Sequence, residues 1–462
     1  MKSPRRLVPV TTSVDADESV ALLPAGVKDM SLDEALALAV RMHREDRLEG
    51  AITLYKRILL AAPEHPDALC LLGMAEHQSG RSEHGLKLIR RAVAKVPNFV
   101  GFQVNLGNVM AELHRLDDAA TAYARAIELA PDSADIHNNL GSLKLVQGRA
   151  DQARASFERA IALDARHARA WKNLAALLDA AGDLEGAIGG YLKALEVSGY
   201  TSSAAKLLGL ALYKSGQVAK ATEVFRQWME REPDNPVPAH LHAAISGRSA
   251  PDRAPDNYVE AEFDEFAGSF ERVLNERLHY RAPQLCADLL GQALGKPEGR
   301  LNILDAGCGT GLCGPLVAAW ARHLVGADLS AGMLTKARNK GVYHELVKAE
   351  LTAYLGATSQ RWDAIVCADT LCYFGDLTEY MRAAASSLRP GGTMVYTVEA
   401  LDDDLQDRAS FLSSGRYAHS KTHLDNAAVQ AGLITLHAQR EVLRNEGSAP
   451  VNGWLIAVQR PA

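Results

Sequence analysis

Residues 300–315 read RLNILDAGCGTGLCGP, and two patterns overlap in them. Gly309, Gly311 and Gly314 match G-x-G-x-x-G, the spacing that lets backbone approach a dinucleotide pyrophosphate. Asp305, Gly307, Gly309 and Gly311 match D-x-G-x-G-x-G instead. The apolar run LNILD ends on the acid, so Gly307 is the glycine nearest the strand end. The dinucleotide alignment leaves Asp305 and Gly307 without a task. A carboxylate at that point repels a pyrophosphate and suits a ligand with an ammonium group and no phosphate. A second acid, Asp328, ends the run HLVGAD, where a carboxylate can accept both hydroxyls of a ribose. Glu350 and Asp369 follow at the ends of VKAE and IVCAD. A different set lies in SGRYAHS: Arg416, Tyr417 and His419. Guanidinium, phenol and imidazole together can hold a carboxylate and move a proton. Tyr373 and Glu399 stand after two further apolar runs and are candidates for the same pocket. The other reading of SGRYAHS is a surface turn opened by Ser414 and Gly415, and Asp402, Asp403 and Asp404 read as a solvated loop.

Positioning these groups requires an alternating fold. LNILDAG, HLVGADL, YHELVKAEL, WDAIVCADTLCYF and GGTMVYTVEA read as strands, with SAGMLTKARNKG a helix capped by Ser330 and closed by Gly341. ITLHAQREVLR and GWLIAVQR read as a final hairpin. Apolar strands between helices predict a parallel sheet covered on both faces, with the ligand beyond the carboxyl ends of the strands. Ahead of them, YVEAEFDEFAGSF spaces Tyr258, Phe263, Phe266 and Phe270 as on a helix. Core packing is one reading of these rings; a lid lined by Tyr258 and Tyr280 is the other.

This half resembles the class I S-adenosylmethionine-dependent methyltransferases over roughly residues 256–462. The resemblance implies S-adenosylmethionine as cofactor. It puts Asp305, Gly307, Gly309 and Gly311 along its methionine and ribose part, and Asp328 on the ribose hydroxyls. Leu329 and Met333 then pack by the adenine, Glu350 and Leu351 read its edge, and Asp369 faces the methionine end. Asp is commoner than Glu at the position of Glu350 in such families. No N/D-P-P-Y motif, double-glutamate loop or Pro-Cys nucleophile is present, which disfavours DNA amino-group, protein arginine and cytosine C5 methylation in turn.

The first half repeats itself every 34 residues. Leu38, Leu72, Leu106, Leu140, Leu174 and Leu208 keep the step, as do Ala51, Gly85, Ala119, Ala153, Ala187 and Ala221. So does the large-residue series Tyr55, Ile89, Tyr123, Phe157, Tyr191, Phe225. This resembles the tetratricopeptide repeat over roughly residues 30–233. One helix pair cannot bury its apolar stripe, but a stack of pairs can. Asn105, Asn139 and Asn173 share one repeat position, which in related arrays faces the groove. A ladder of carboxamides can pair with a peptide backbone; plain frequency of Asn at this position is the competing explanation.

The expected organisation is a flexible tail (1–29), a repeat array of about six units plus a capping helix (30–247), a linker (248–256) and a methyltransferase domain (257–462). The fold class is an all-α solenoid followed by an α/β Rossmann-like domain. Repeats joined to NYVEAEFDEFAGSF, LHYRAP and SGRYAHS resemble a bacterial family of repeat-containing methyltransferases. Of 462 residues, 47% are hydrophobic and 23% charged, the composition of folded soluble chains. A net charge of −6 makes nucleic acid an improbable partner. No apolar run approaches the roughly 18–20 residues of a membrane span, and the first twenty residues lack a signal-peptide core. Six scattered cysteines without a C-x-x-C pair are expected to be buried thiols, and no metal site is expected. The expectation is a cytoplasmic methyltransferase whose array recruits a peptide or protein substrate. A small-molecule methyltransferase whose array docks a partner, and a non-catalytic scaffold, stay open at this stage.

Overall fold

The computed structural model describes residues 30–246, 251–267, 270–271, 274, 278–401, 408–446 and 449–462. The expected tail, residues 248–250 of the expected linker, and Asp402, Asp403 and Asp404 lie outside the described residues. The chain divides into two compact units, 1–204 and 205–462.

The first unit is a row of helix pairs: α1 (Leu32–Arg44) with α2 (Leu48–Ala61), α3 (Pro66–Gln78) with α4 (Ser82–Lys95), α5 (Val100–Glu112) with α6 (Leu116–Leu129), α7 (Ala134–Val146) with α8 (Ala150–Leu163), and α9 (Ala168–Ala180) with α10 (Leu184–Ser198). Ser31 opens the row with a capping box, accepting from the Glu34 N–H while Glu34 accepts from the Ser31 N–H. The 34-residue step recurs in the backbone. Asp46, Gly80, His114, Gly148 and Gly182, each at a turn within a pair, all have positive φ. In two of these pairs a glycine on the first helix receives a ring from the second. A β-carbon at Gly107 would lie 2.6 Å from Tyr123, and one at Gly141 would lie 2.5 Å from Phe157. Phe157 also clusters with Leu174 of the following pair, so one ring joins two repeats. Tyr55, Ile89, Phe157 and Tyr191 are wholly buried.

The second unit begins within α11 (Ser202–Lys214), continues through α12 (Val218–Arg231) and α13 (Pro236–Ser246), and reaches α14 (Asp256–Phe266) and α15 (Ala282–Leu294). Gly209 and Phe225 repeat the same close contact, since a β-carbon at Gly209 would lie 2.4 Å from the Phe225 ring. Among the described residues a nine-stranded sheet follows. Strands β1 (Leu301–Ala306), β2 (Ala321–Asp328), β3 (Glu345–Lys348), β4 (Trp362–Cys367) and β5 (Leu388–Ala400) pair in parallel in the order β3-β2-β1-β4-β5. The expected final hairpin forms as β8 (Ile434–Glu446) and β9 (Ala449–Gln459), with β9 antiparallel to β5. The short helices between them are α16 (Gly314–Val317), α17 (Ala331–Arg338), α18 (Leu351–Ala357), α19 (Thr378–Ser387) and α20 (Lys421–Gln430).

SGRYAHS opens on a turn at Ser414 and Gly415, as one reading expected, but it is the turn of a hairpin and not a free loop. Its second half is strand β7 (Tyr417–His419), paired antiparallel with β6 (Ala409–Phe411). β7 also pairs in parallel with the end of β5, through Glu399 and Ala400. At Glu399 the other edge of β5 is taken by β9. β7 therefore shares the β4 edge, past the last β4 partner, Cys367 with Tyr396. This topology sets the hairpin beyond the carboxyl end of β4, where a doubly wound sheet binds its ligand.

Candidate active site

A cavity of about 220 Å³ opens at the carboxyl ends of β1, β2 and β4. Gly307, Gly309, Asp328, Leu329, Glu350, Leu351, Asp369, Tyr373, Arg416 and Tyr280 all line it. Asp305, Gly311, Met333, Tyr258, Tyr417 and His419 do not. Phe263, Phe266 and Phe270 cover it from the α14 side, so the rings spaced along that segment wall the cavity.

The glycine loop divides its labour. Gly307 has φ +73°, and a β-carbon there would stand 2.2 Å from Thr370 Oγ1. Gly309 has φ +52° with nothing closer than 3.9 Å, so its missing side chain leaves open space at the cavity wall. Gly311 and Gly314 serve a different purpose. A β-carbon at either would meet the Tyr343 ring, at 2.9 and 2.6 Å. The Tyr343 hydroxyl donates to Asp305 Oδ2 at 2.6 Å. The third glycine of the apparent dinucleotide pattern is thus a slot for a ring that holds the acid. Burial raises the Asp305 carboxyl to about 7, with the Tyr343 hydrogen bond opposing and the Asp328 charge adding. Tyr343 is a site residue that sequence reasoning missed.

Asp328 ties the end of β2 to this loop. One carboxylate oxygen accepts from the Gly309 N–H at 2.9 Å, the other from the Ser330 N–H at 2.8 Å. Burial raises its pKa against those two bonds. Each oxygen keeps a second lone pair for a hydroxyl. Ser330 caps α17 by accepting from the Met333 N–H at 3.0 Å, which buries Met333 behind the wall. Glu350 is occupied as the cap of α18, accepting from the N–H groups of Thr352 and Ala353 at 3.0 and 2.7 Å.

Beyond β4, Asp369 sits at φ +54°, a conformation that costs a non-glycine residue energy. Its N–H donates to Thr397 Oγ1 at 2.8 Å. Oδ2 accepts from Arg444 Nη1 at 2.8 Å, and Oδ1 is buried without a hydrogen-bond partner. Arg444, 1% exposed on β8, also reaches Glu399 at 2.5 Å and Glu446 at 3.1 Å. Arg416 joins Glu399 at 2.8 Å and Glu446. Burial works against both guanidinium charges, but Asp369, Glu399 and Glu446 more than offset it, so both pKa values are raised. Three carboxylates to two guanidinium groups leave one net negative charge beside the cavity. Arg444 carried no sequence signal, because its strand reads as the outer arm of a hairpin.

Tyr417 and His419 are kept from the cavity by the pairing of β7. The Tyr417 hydroxyl donates to the Pro251 carbonyl at 2.6 Å, and its ring stacks on Phe411. His419 is fully buried, and burial with the nearby His423 pushes it down to about 3, too weak a base to take a proton from a hydroxyl. In the array, the three Asn side chains are half-buried and brace neighbouring repeats. Asn105 donates to Cys70 Sγ at 3.3 Å, Asn139 to Asn108 at 3.3 Å and Asn173 to Asn138 at 2.9 Å. All six cysteines are buried and free. Among the described residues, no cluster of His, Cys, Asp or Glu is gathered as for a metal ion, and no helix is long and apolar enough to cross a membrane.

The donor set fits S-adenosylmethionine. Two carboxylates, one with an orphaned buried oxygen, face the cavity, the glycine backbone is open at Gly309, and the local charge is negative, as a cationic sulfonium requires.

Comparison with known proteins agrees. The family described as "Methyltransferase domain" matches residues 277–439, "TPR repeat" matches 107–148, and "Tetratricopeptide repeat" matches 44–99 and 138–201. Human methyltransferase-like protein 27 is 32% identical over 180 residues, 38% of this chain and 70% of that protein. The ubiquinone biosynthesis O-methyltransferase of Alkalilimnicola ehrlichii is 33% identical over 114 residues, 24% of this chain but only 46% of that enzyme. A thermophilic TPR protein of Thermus thermophilus is 26% identical, with a TM-score of 0.37, over 40% of this chain and all of that one. The chain belongs to the class I S-adenosylmethionine-dependent methyltransferases and carries tetratricopeptide repeats ahead of its methyltransferase domain.

Proposed function

We propose that the cavity binds S-adenosylmethionine along the β1, β2 and β4 ends and receives the methyl acceptor from the Arg416 side, and that the repeat array recruits a peptide or protein bearing that acceptor. The observation that carries this reading is the gathering of Gly307, Gly309, Asp328 and Asp369 around one cavity that Arg416 and Tyr373 close. The cofactor, when bound, supplies a methyl group on a positively charged sulfur. Asp328 has free lone pairs for hydroxyls, and the orphaned oxygen of Asp369 suits an ammonium group. Phe263, Phe266 and Phe270 exclude water, which strengthens each of these interactions. The residues chiefly supply alignment, a contribution of up to about 7–11 kcal/mol in well-oriented reactions.

A second reading, a small-molecule acceptor, is favoured by the similarity to an O-methyltransferase of ubiquinone biosynthesis and by the aromatic cover of the cavity. One experiment separates them. Tritiated cofactor is incubated with an extract of the cells that make the protein, with wild-type chain and Asp328→Ala. Label in macromolecules that the variant loses supports recruitment of a protein. Label confined to small molecules supports the second reading, and no transfer by the wild type refutes both.

A further inference from the structure

α13 and the described residues ahead of α14 do more than connect. His240 on α13 is 5% exposed. Because a carbonyl only accepts, its Nε2–H must be the donor to the Gly415 carbonyl at 2.8 Å. Burial lowers the His240 pKa, which favours the neutral ring. The ring stacks on Tyr258 with centroids 3.8 Å apart and meets Phe411 edge-on at 5.0 Å. Gly415 has φ +80°, and a β-carbon there would lie 2.9 Å from the Tyr258 hydroxyl and 3.0 Å from His240 Cδ2. The next residue is Arg416, which lines the cavity and pairs with Glu399.

The chain beyond α13 repeats the same kind of attachment. The Pro251 carbonyl accepts from the Tyr417 hydroxyl at 2.6 Å. The Asp252 carbonyl accepts from the N–H groups of Gly375 and Asp376, both at 2.8 Å. The Ala254 N–H donates to the carbonyl of Tyr373, another cavity residue, at 2.8 Å. Lys206 on α11 pairs with Glu262 on α14, which also lines the cavity. The bonds of His240, Pro251, Asp252 and Ala254 fall on the loop after β4 and the β6–β7 hairpin, while Arg253 reaches Glu350 at 3.8 Å. They do not touch the glycine loop or Asp328.

We propose that α13 and residues 251–258 form a strap at the acceptor side of the cavity, in which His240 is the positioning residue that fixes Gly415 and so the approach of Arg416 to Glu399. Acceptor use then depends on α13, the helix that follows the last repeat, while cofactor binding does not. The inference rests on the acceptor entering beside Arg416.

The test uses full-length protein, tritiated S-adenosylmethionine and increasing amounts of cell extract as the acceptor pool. His240→Phe keeps the ring and loses the donor; His240→Gln restores an N–H near the Nε2 position. Losing one buried hydrogen bond should raise the half-saturating extract concentration of His240→Phe about tenfold, with the cofactor Kd within about twofold of wild type, and His240→Gln should recover most of the difference. Unchanged half-saturation in His240→Phe, or no recovery in His240→Gln while cofactor binding stays intact, overturns the strap; structural damage would instead weaken cofactor binding and turnover together. Arg416→Lys reports on the underlying reading. If it weakens acceptor use and His240→Phe does not, the strap is wrong and the acceptor side is right. If neither variant changes acceptor use, the acceptor assignment falls and the strap with it. Tyr417→Phe removes only the bond to Pro251 and decides the case where His240→Phe loses the cofactor: raised half-saturation supports the strap, and wild-type behaviour overturns it.

Discussion

Arg444→Met should be the most damaging single change in the sheet-containing unit outside its apolar core. The side chain is 1% exposed and bonds Asp369 Oδ2 at 2.8 Å and Glu399 at 2.5 Å. Methionine fills a similar volume, so the loss is one of charge rather than packing. Arg416 still faces Glu399, but Asp369 keeps no cationic partner among the contacts described, and its other oxygen already lacks one. Removing one member of a buried pair costs about 3–5 kcal/mol, because the remaining charge stays out of water. For a unit of this size, each kcal/mol moves the midpoint by about 2–4 °C, so the drop should be roughly 6–20 °C. Calorimetry of the full chain measures it. A double variant, Arg444→Met with Asp369→Asn, removes the orphaned charge and should recover at least about half of the loss. A single variant melting within about 2 °C of wild type would mean that the cluster holds no uncompensated charge, and the electrostatic description of the site would fail.

Other outcomes follow from the same geometry. Asp305 has a folded-state pKa of about 7 against an ordinary value of 3.8, so the folded chain binds more protons than the unfolded chain between those values. The stability from this group is therefore greatest below pH ~4, falls as pH rises to ~7 and is flat above, a total of up to ~4 kcal/mol. Urea denaturation at pH 5 and pH 8 should show that slope in the wild type and a shallower one in Asp305→Asn; equal slopes count against the buried carboxyl. Gly307→Ala should lower cofactor affinity at least about tenfold, since its β-carbon meets Thr370 at 2.2 Å, whereas Gly341→Ala, strained but open, should cost only about 1 kcal/mol of stability. In the array, Gly141→Ala should destabilise by about 1–3 kcal/mol through its clash with Phe157. Gly189→Ala, in α10 with nothing within 4 Å, should stabilise by about 0.5–1 kcal/mol. Thermal melts that rank these two alike would refute the packing argument.

Period and polarity made the repeat array and the parallel core legible, because both write a regular pattern along the chain. The left-handed turn residues at the 34-residue step and the glycine–ring pairs are that pattern seen in space. Strands β6 and β7 were not legible. Three residues each are too short to show alternation, and their pairing depends on a distant edge of β5. That pairing turns Arg416 into the cavity while burying Tyr417 and His419, so three neighbours with similar chemical promise part ways. The glycine loop was read for its ligand, yet two of its glycines exist for Tyr343, 29 residues beyond Gly314, which no local pattern announces. Arg444 and His240 are lone charged or polar residues in otherwise ordinary segments, and only the tertiary contacts give them partners. The linker composition of residues 251–255 suggested slack chain, but their backbone groups bond to Tyr417, Gly375, Asp376 and Tyr373.

The central claim is that the loop from Asp305 to Gly311 holds a sulfonium cofactor and not a dinucleotide. Isothermal titration calorimetry of the full-length protein tests it most directly, with S-adenosylmethionine and NAD titrated in turn into wild type and Asp328→Ala. The account predicts one site for S-adenosylmethionine, at least about tenfold weaker in the variant, and no saturable heat with NAD. NAD binding as tight as S-adenosylmethionine, or a variant that binds the cofactor as the wild type does, would contradict it.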